Sequence, residues 1–258
     1  MRRTLIAGNW KMNGSLAALG ELDAIADCAA AHSWLDVAVA LPATLICPAV
    51  ARVPTLAIGG QDVHDAESGA HTGCLSAAML KEAGARFTIV GHSERRADQH
   101  ETSQDAWAKA EAAHRHGLGV ILCVGETEAE RNAGRAARVV QAQIEKSVPE
   151  AATGDWLTLA YEPRWAIGTG RTPTLDDIAE VHAIARAKLR TLVGDAADGI
   201  RILYGGSVTG ANAGDILAAA DVDGALVGGA SLTAAKFLPI ISAASSIAGV
   251  IDPDAPVG

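Results

Sequence analysis

The sequence predicts an α/β fold, a closed (β/α)8 barrel formed as a single domain over residues 1–258. Two observations carry this prediction. Eight short apolar or β-branched runs recur along the chain, and Ala-rich segments with helical spacing lie between them. Strand–helix alternation of that kind implies a parallel sheet, and about 250 residues is the length at which eight such units close into a barrel. The competing arrangement is an open doubly wound sheet. Its G-x-G-x-x-G fingerprint is absent, and no Gly-Lys pair exists to build a Walker A loop.

The runs read in order as Thr4–Ala7, Asp36–Leu41, Leu56–Ile58, Phe87–Val90, Val120–Val124, Leu157–Tyr161, Ile202–Tyr204 and Gly224–Val227. Helical spacing is clearest over Leu16–Ala31, Thr102–His116, Glu128–Ser147 and Leu175–Val193. In the last, Ile178, Val181, Ile184, Ala185 and Leu189 form one apolar stripe, and Thr174 with Asp177 behind it reads as the N-cap. Asp252 to Gly258 reads as a frayed tail.

Composition narrows the function. Hydrophobic residues make up 49% of the chain and charged residues 20%, enough for a sizeable core; with aromatics at 3%, that core rests on Ala, Val, Leu and Ile. Acidic residues outnumber basic ones 30 to 21, and the only dense basic spots are Arg2–Arg3 and Arg95–Arg96, which argues against nucleic acid as a partner. An anionic small substrate stays possible only in a locally positive pocket. Cys28, Cys47, Cys74 and Cys123 form no CxxC pair and no secretory framework, and the N-terminus lacks an apolar signal region, so a cytoplasmic setting is expected. The longest uncharged run, Phe237–Ile251, contains Pro239 and is too short to span a membrane.

In such a barrel, chemistry collects where the strands end. Asn9 and Lys11 follow strand 1. His92, Ser93 and Glu94 follow strand 4, Gly125-Glu126 strand 5 and Glu162 strand 6. Gly205-Gly206-Ser207 follows strand 7, and Gly228-Gly229 strand 8. Taken singly, Lys11 and Glu162 read as solvated charges and the glycine pairs as turns. Together on one rim they read as a site. No His, Cys and carboxylate set has metal-ligand spacing, and no G-x-S-x-G elbow exists.

Five motifs sharpen this reading: Asn9-Trp10-Lys11-Met12-Asn13, Gly91-His92-Ser93-Glu94-Arg95-Arg96, Tyr161–Gly170 (YEPRWAIGTG), Tyr204-Gly205-Gly206-Ser207-Val208 and Leu226-Val227-Gly228-Gly229-Ala230. In order and spacing they resemble the triosephosphate isomerase family over nearly the whole chain. The resemblance implies a TIM barrel that interconverts dihydroxyacetone phosphate and glyceraldehyde 3-phosphate through an enediolate. It implies Glu162 as base, His92 as a neutral electrophile, Lys11 and Asn9 as stabilisers of the oxyanion, and Glu94 as a partner of the Lys11 region. Backbone N–H groups at Gly168, Ser207, Gly228 and Gly229 would hold the phosphate under a lid running from Pro163 to about Thr169. No metal or organic cofactor is implied.

The resemblance also implies a homodimer through the loop around Thr72. Departures cluster there: Cys74 stands for a usual glutamate, Asp62 for an asparagine, and Gln99-His100 for Phe-Gly. Cys74 is expected near the subunit contact, where thiol modification would loosen the dimer. Arg164 replaces an apolar residue at the lid's hinge, so that it must snorkel or find an acid. Two other functions use the same motifs. One is isomerisation of a four-carbon ketose phosphate; the other is a silent barrel kept as a binding module. The complete lid motif favours the triose, and retention of Glu162, His92 and Lys11 together disfavours the silent barrel.

Overall fold

In the computed structural model, which describes residues 2–166 and 173–251, the eight strands close into a parallel barrel. They are β1 (Leu5–Asn9), β2 (Asp36–Ala40), β3 (Ala57–Gly60), β4 (Phe87–Val90), β5 (Gly119–Val124), β6 (Leu157–Tyr161), β7 (Arg201–Tyr204) and β8 (Gly224–Val227). Closure is made by β1. Leu5 pairs with Asp36 of β2 on one edge and with Gly224 of β8 on the other.

Successive side chains on a strand point to opposite faces. Leu5, Ala7, Ile89, Ile121, Leu203 and Leu226 accordingly fill the barrel, while Ile6, Val39, Ile58, Val120, Leu159 and Ile202 pack outward. Each of the large aliphatics fully buried this way stabilises the fold by roughly 1.5–3 kcal/mol.

The outer layer contains α1 (Glu21–Ala31), α2 (Ala43–Arg52), α3 (Ala77–Glu82), α4 (Ser93–Asp98), α5 (Ser103–Arg115), α6 (Glu128–Asn132), α7 (Ala136–Ser147), α8 (Leu175–Val193), α9 (Ala213–Leu217) and α10 (Ala234–Ile251). Thr174 caps α8 as expected: its hydroxyl accepts from the Asp177 N–H, and the Asp177 carboxylate accepts from the Thr174 N–H. The uncharged run near the C-terminus lies in α10, with Pro239 inside it. No helix among the described residues is long and apolar enough to cross a membrane.

Several boundaries differ from the sequence reading: β2 stops at Ala40, β3 runs Ala57–Gly60, and β5 and β7 each start one residue earlier. Three further differences have a local cause. Strand β1 continues past Ala7, because Asn9 occupies the next inward position and still pairs with Ala40. The segment 128–147 is two helices, since Gly134 adopts φ 67° and ends the first turn, a conformation glycine takes without steric cost. The segment 16–31 begins as a 3-10 turn, Ala17–Gly20, before α1. The tail Asp252–Gly258 lies outside the described residues.

Near the end of the barrel opposite the strand C-termini, a charge cluster ties α8 to the segment before β8. Arg186 of α8 is buried and reaches Asp223 at 2.8 Å, Asp221 at 3.2 Å and the Ile200 carbonyl at 2.6 Å. Arg2 binds the same two aspartates. One turn away, His182 is fully buried; its Nδ1–H donates to the Asp221 carbonyl at 2.9 Å, and its Nε2 has no partner. Burial lowers its pKa to about 4, outweighing the Asp221 carbonyl and the nearby carboxylates of Asp223 and Asp221. In the unfolded chain the same histidine takes a proton near pH 6.5. Stability from a neutral His182 is therefore complete above about pH 6.5 and drains away as pH falls toward 4, by up to roughly 3 kcal/mol. The melting-temperature gap between the native chain and His182→Asn should narrow from pH 7 to pH 4.5; a constant gap would remove this histidine from the acid response.

Candidate active site

Side chains from β1, β4, β6, β7 and β8 converge on a cavity of about 280 Å3 at the C-terminal rim. Asn9, Lys11, His92, Glu162, Ser207, Gly228 and Gly229 all line it. Gly168 and the lid beyond Ala166 lie outside the described residues.

Lys11 is held by its surroundings in an unusual backbone state. Its φ of 53° is left-handed, which costs a non-glycine residue about 1–2 kcal/mol. Three contacts fix it there: its N–H donates to Asn9 Oδ1 at 3.0 Å, its carbonyl accepts from Gln61 Nε2 at 2.9 Å, and its ammonium pairs with Glu94 at 2.6 Å. Gln61 also donates to Asn9 Oδ1 at 3.1 Å. Gln61 is absent from the sequence reading, although its place directly after β3 matches the rule that exposed the others. Trp10, fully buried, ties this loop to the loop after β8 through its Nε1–H and the Ser231 carbonyl, at 2.9 Å.

His92 caps α4. Its Nδ1 accepts from the Glu94 N–H at 3.3 Å, and its Nε2 lies 2.9 Å from Glu162 Oε1. Both residues are nearly sealed from solvent, His92 at 5% and Glu162 at 2% exposure. The other oxygen of Glu162 accepts from the Ser93 N–H at 2.9 Å, and the buried Cys123 thiol also bonds the carboxylate. The thiol was not foreseen, because a cysteine inside a strand reads as core.

Burial opposes charge on Glu162, yet the His92, Ser93 and Cys123 partners outweigh it and hold the carboxyl below its ordinary value. Burial likewise opposes charge on His92, and the Glu162 carboxylate overcomes it, so the imidazole is held above its ordinary value. The expected dominance of the helix N-terminus, which would keep His92 neutral, is thus reversed. The cause is a carboxylate at hydrogen-bond distance, closer than any helix dipole charge.

Glu126, fully buried, steadies the chain after Glu162. It accepts from Tyr161 Oη at 3.0 Å and from Trp165 Nε1 at 2.9 Å. Arg164 begins a 3-10 turn there, half-buried, with its N–H on the Glu126 carbonyl at 3.2 Å. Ser207 donates to the Ala166 carbonyl at 3.0 Å, which brings the strand 7 loop beside the lid's start. A side chain added at Gly228 would stand 3.3 Å from Lys11 Cε, so the glycine keeps the floor beside the ammonium open. The geometry offers an ionised carboxylate, an imidazole N–H, an ammonium and free backbone N–H groups around one small-molecule space, the equipment for moving a proton on an anionic substrate.

Comparison with known proteins agrees. The family model described as triosephosphate isomerase matches residues 4–244. A triosephosphate isomerase of Xanthobacter flavus is 57% identical over 244 residues, covering 94% of this chain and 98% of its own. One from Chelativorans sp. (strain BNC1) is 54% identical over 246 residues, covering 93% and 96%. The crystal structure of triosephosphate isomerase from Bartonella henselae superposes with a TM-score of 0.88 at 44% identity, over 93% of this chain and 98% of that one.

The charge coupling is directly measurable. In Glu162→Gln, the NMR titration midpoint of the His92 ring should fall, because the carboxylate that raises it is gone while burial and the Glu94 N–H remain. An unchanged midpoint would mean that Glu162 does not set the state of His92.

Proposed function

The chain belongs to the triosephosphate isomerase family and interconverts dihydroxyacetone phosphate and D-glyceraldehyde 3-phosphate, and we propose that Glu162 is the base and His92 the electrophile of that proton transfer. The observation that carries the proposal is the 2.9 Å contact of His92 Nε2 with Glu162 Oε1, two groups that line one cavity at the rim with Lys11. Substrate enters between these two atoms. The Glu162 carboxylate takes a proton from one carbon, and the electrons move onto the adjacent carbonyl oxygen. His92 Nε2–H and the Lys11 ammonium stabilise the enediolate oxygens. Glu162 then returns the proton to the neighbouring carbon, while His92 Nε2 passes a proton from the hydroxyl oxygen to the former carbonyl oxygen, so that one carbonyl is lost as the other forms.

With substrate interposed, His92 loses the push from Glu162, while its Nδ1 still accepts from the Glu94 N–H; the ring donates as a neutral imidazole. Asn9 has its Oδ1 committed to Lys11 and Gln61, which turns its NH2 toward the substrate. Glu94 positions Lys11. Backbone N–H groups of Ser207, Gly228 and Gly229, with Gly168, receive the phosphate. The relatives described above all carry the triose name, and none favours a four-carbon ketose phosphate or a silent barrel.

The enzyme works in the cytoplasm as a homodimer. Four free cysteines suit a reducing compartment. A groove of about 680 Å3 borders the active site and shares Asn9, Lys11 and His92 with it, and the loop around Thr72 has the exposure to enter that groove on a second copy. Met12, on the groove's lip, is 96% exposed in the single chain. Arg95 is already paired within its own chain, to Asp62 at 2.7 Å and Glu101 at 2.9 Å, so Cys74 leaves no orphaned cation.

Glu162→Ala should lower kcat on glyceraldehyde 3-phosphate by about two to four orders of magnitude with little change in KM, and a tetrulose phosphate should turn over slowly with either chain. Near-full activity of the variant would sink the role given to Glu162. Cys47 is the other exposed thiol, so Cys47→Ser isolates Cys74. A bulky maleimide should then shift the labelled enzyme from dimer to monomer mass; labelling with unchanged mass and activity would put Cys74 away from the contact.

A further inference from the structure

The barrel end opposite the catalytic rim carries a second cavity, of about 440 Å3. It exists because the inward positions near the strand starts are small: Ala38, Ala57, Gly119 and Thr158 leave the lowest layer unfilled, where bulky branched residues normally interlock. Leu5, Phe87 and Ile121 form its apolar wall.

The mouth is charged. Arg3, Arg86 and Arg201 stand there with Asp36 and Asp155, three guanidiniums against two carboxylates in a chain whose net charge is −9. Asp36 is shared: Arg201 reaches it at 2.6 Å and Arg3 at 3.1 Å. Arg86 spends one N–H on the Pro54 carbonyl, at 2.7 Å. Five donors on each guanidinium leave several uncommitted. Deeper in, Thr158, only 4% exposed, adds a hydroxyl to the lining.

We propose that this basal cavity is a second binding site, for a compact carboxylate with an apolar body, such as an arylalkanoate. The carboxylate meets Arg201 and Arg3 at the mouth, where guanidinium geometry suits bidentate pairing. The body lies on Leu5, Phe87 and Ile121, and the Thr158 hydroxyl bonds whatever polar atom reaches it. A cavity of this volume, apolar with a few placed polar groups, is the usual form of a small-molecule site. Its position across the barrel from Glu162 makes it independent of the triose phosphate.

Calorimetric titration of the intact enzyme with 4-phenylbutanoate, in the presence of saturating triose phosphate, tests this. The expected Kd is below about 1 mM, with the neutral 4-phenylbutan-1-ol at least about tenfold weaker. Arg201→Gln should weaken the carboxylate about tenfold. Ala57→Leu, which fills the cavity without touching the charges, should abolish binding while kcat stays within about twofold. No binding up to about 10 mM, displacement by triose phosphate, or undiminished affinity in Ala57→Leu would each overturn the proposal. Should Arg201→Gln fail to fold, Ala57→Leu decides alone.

Discussion

Because β1 hydrogen-bonds to β2 on one side and to β8 on the other, no strand of this sheet has a free edge, and every strand ends on the same rim. From that closure follow both the core and the chemistry. The alternation that sends Leu5 and Ala7 into the barrel sends Asn9 into the rim, one step further along the same row. Residues 83 positions apart, Lys11 and Glu94, become neighbours at 2.6 Å only because β1 and β4 end at one level. Trp10 then locks the first loop to the last, so the ammonium and the Gly228-Gly229 floor move as one unit.

The electrostatics are local. In a chain with nine excess negative charges, the proposed anionic substrate would depend on local groups and not on net charge. At the rim cavity those groups are one ammonium, kept in place by Glu94, and the backbone of Ser207, Gly228 and Gly229. The left-handed backbone at Lys11 belongs to the same scheme: strain of this kind persists where neighbours over-determine it, and Asn9, Gln61 and Glu94 do so.

Strands β4, β6 and β8 are legible residue for residue, because short runs of β-branched and apolar residues are bounded there by turns. Strand β1 is legible only to Ala7, since a polar residue at its inward end looks like a loop. That Asn9, Lys11, His92, Glu162, Ser207, Gly228 and Gly229 share one rim is legible through their motifs. What surrounds it is not: Gln61 and Cys123 have no signature of their own, and their roles arise from distances that the folded barrel creates. The charge state of His92 is hidden for the same reason, as its governing carboxylate is 70 residues away in sequence. The break in the segment 128–147 was visible at Gly134, yet the helical spacing on either side masked it.

The contact between His92 and Glu162 has a consequence for the reaction cycle. The two side chains satisfy one another, so under the proposed mechanism aldose and ketose must each break that contact to bind. Both ligands are therefore weakened by the same increment, which leaves the equilibrium between them untouched. Departure of either one is favoured by the same increment, because the two side chains reseal the space that it vacates. The site thus carries its own competitor, one that acts on aldose and ketose alike.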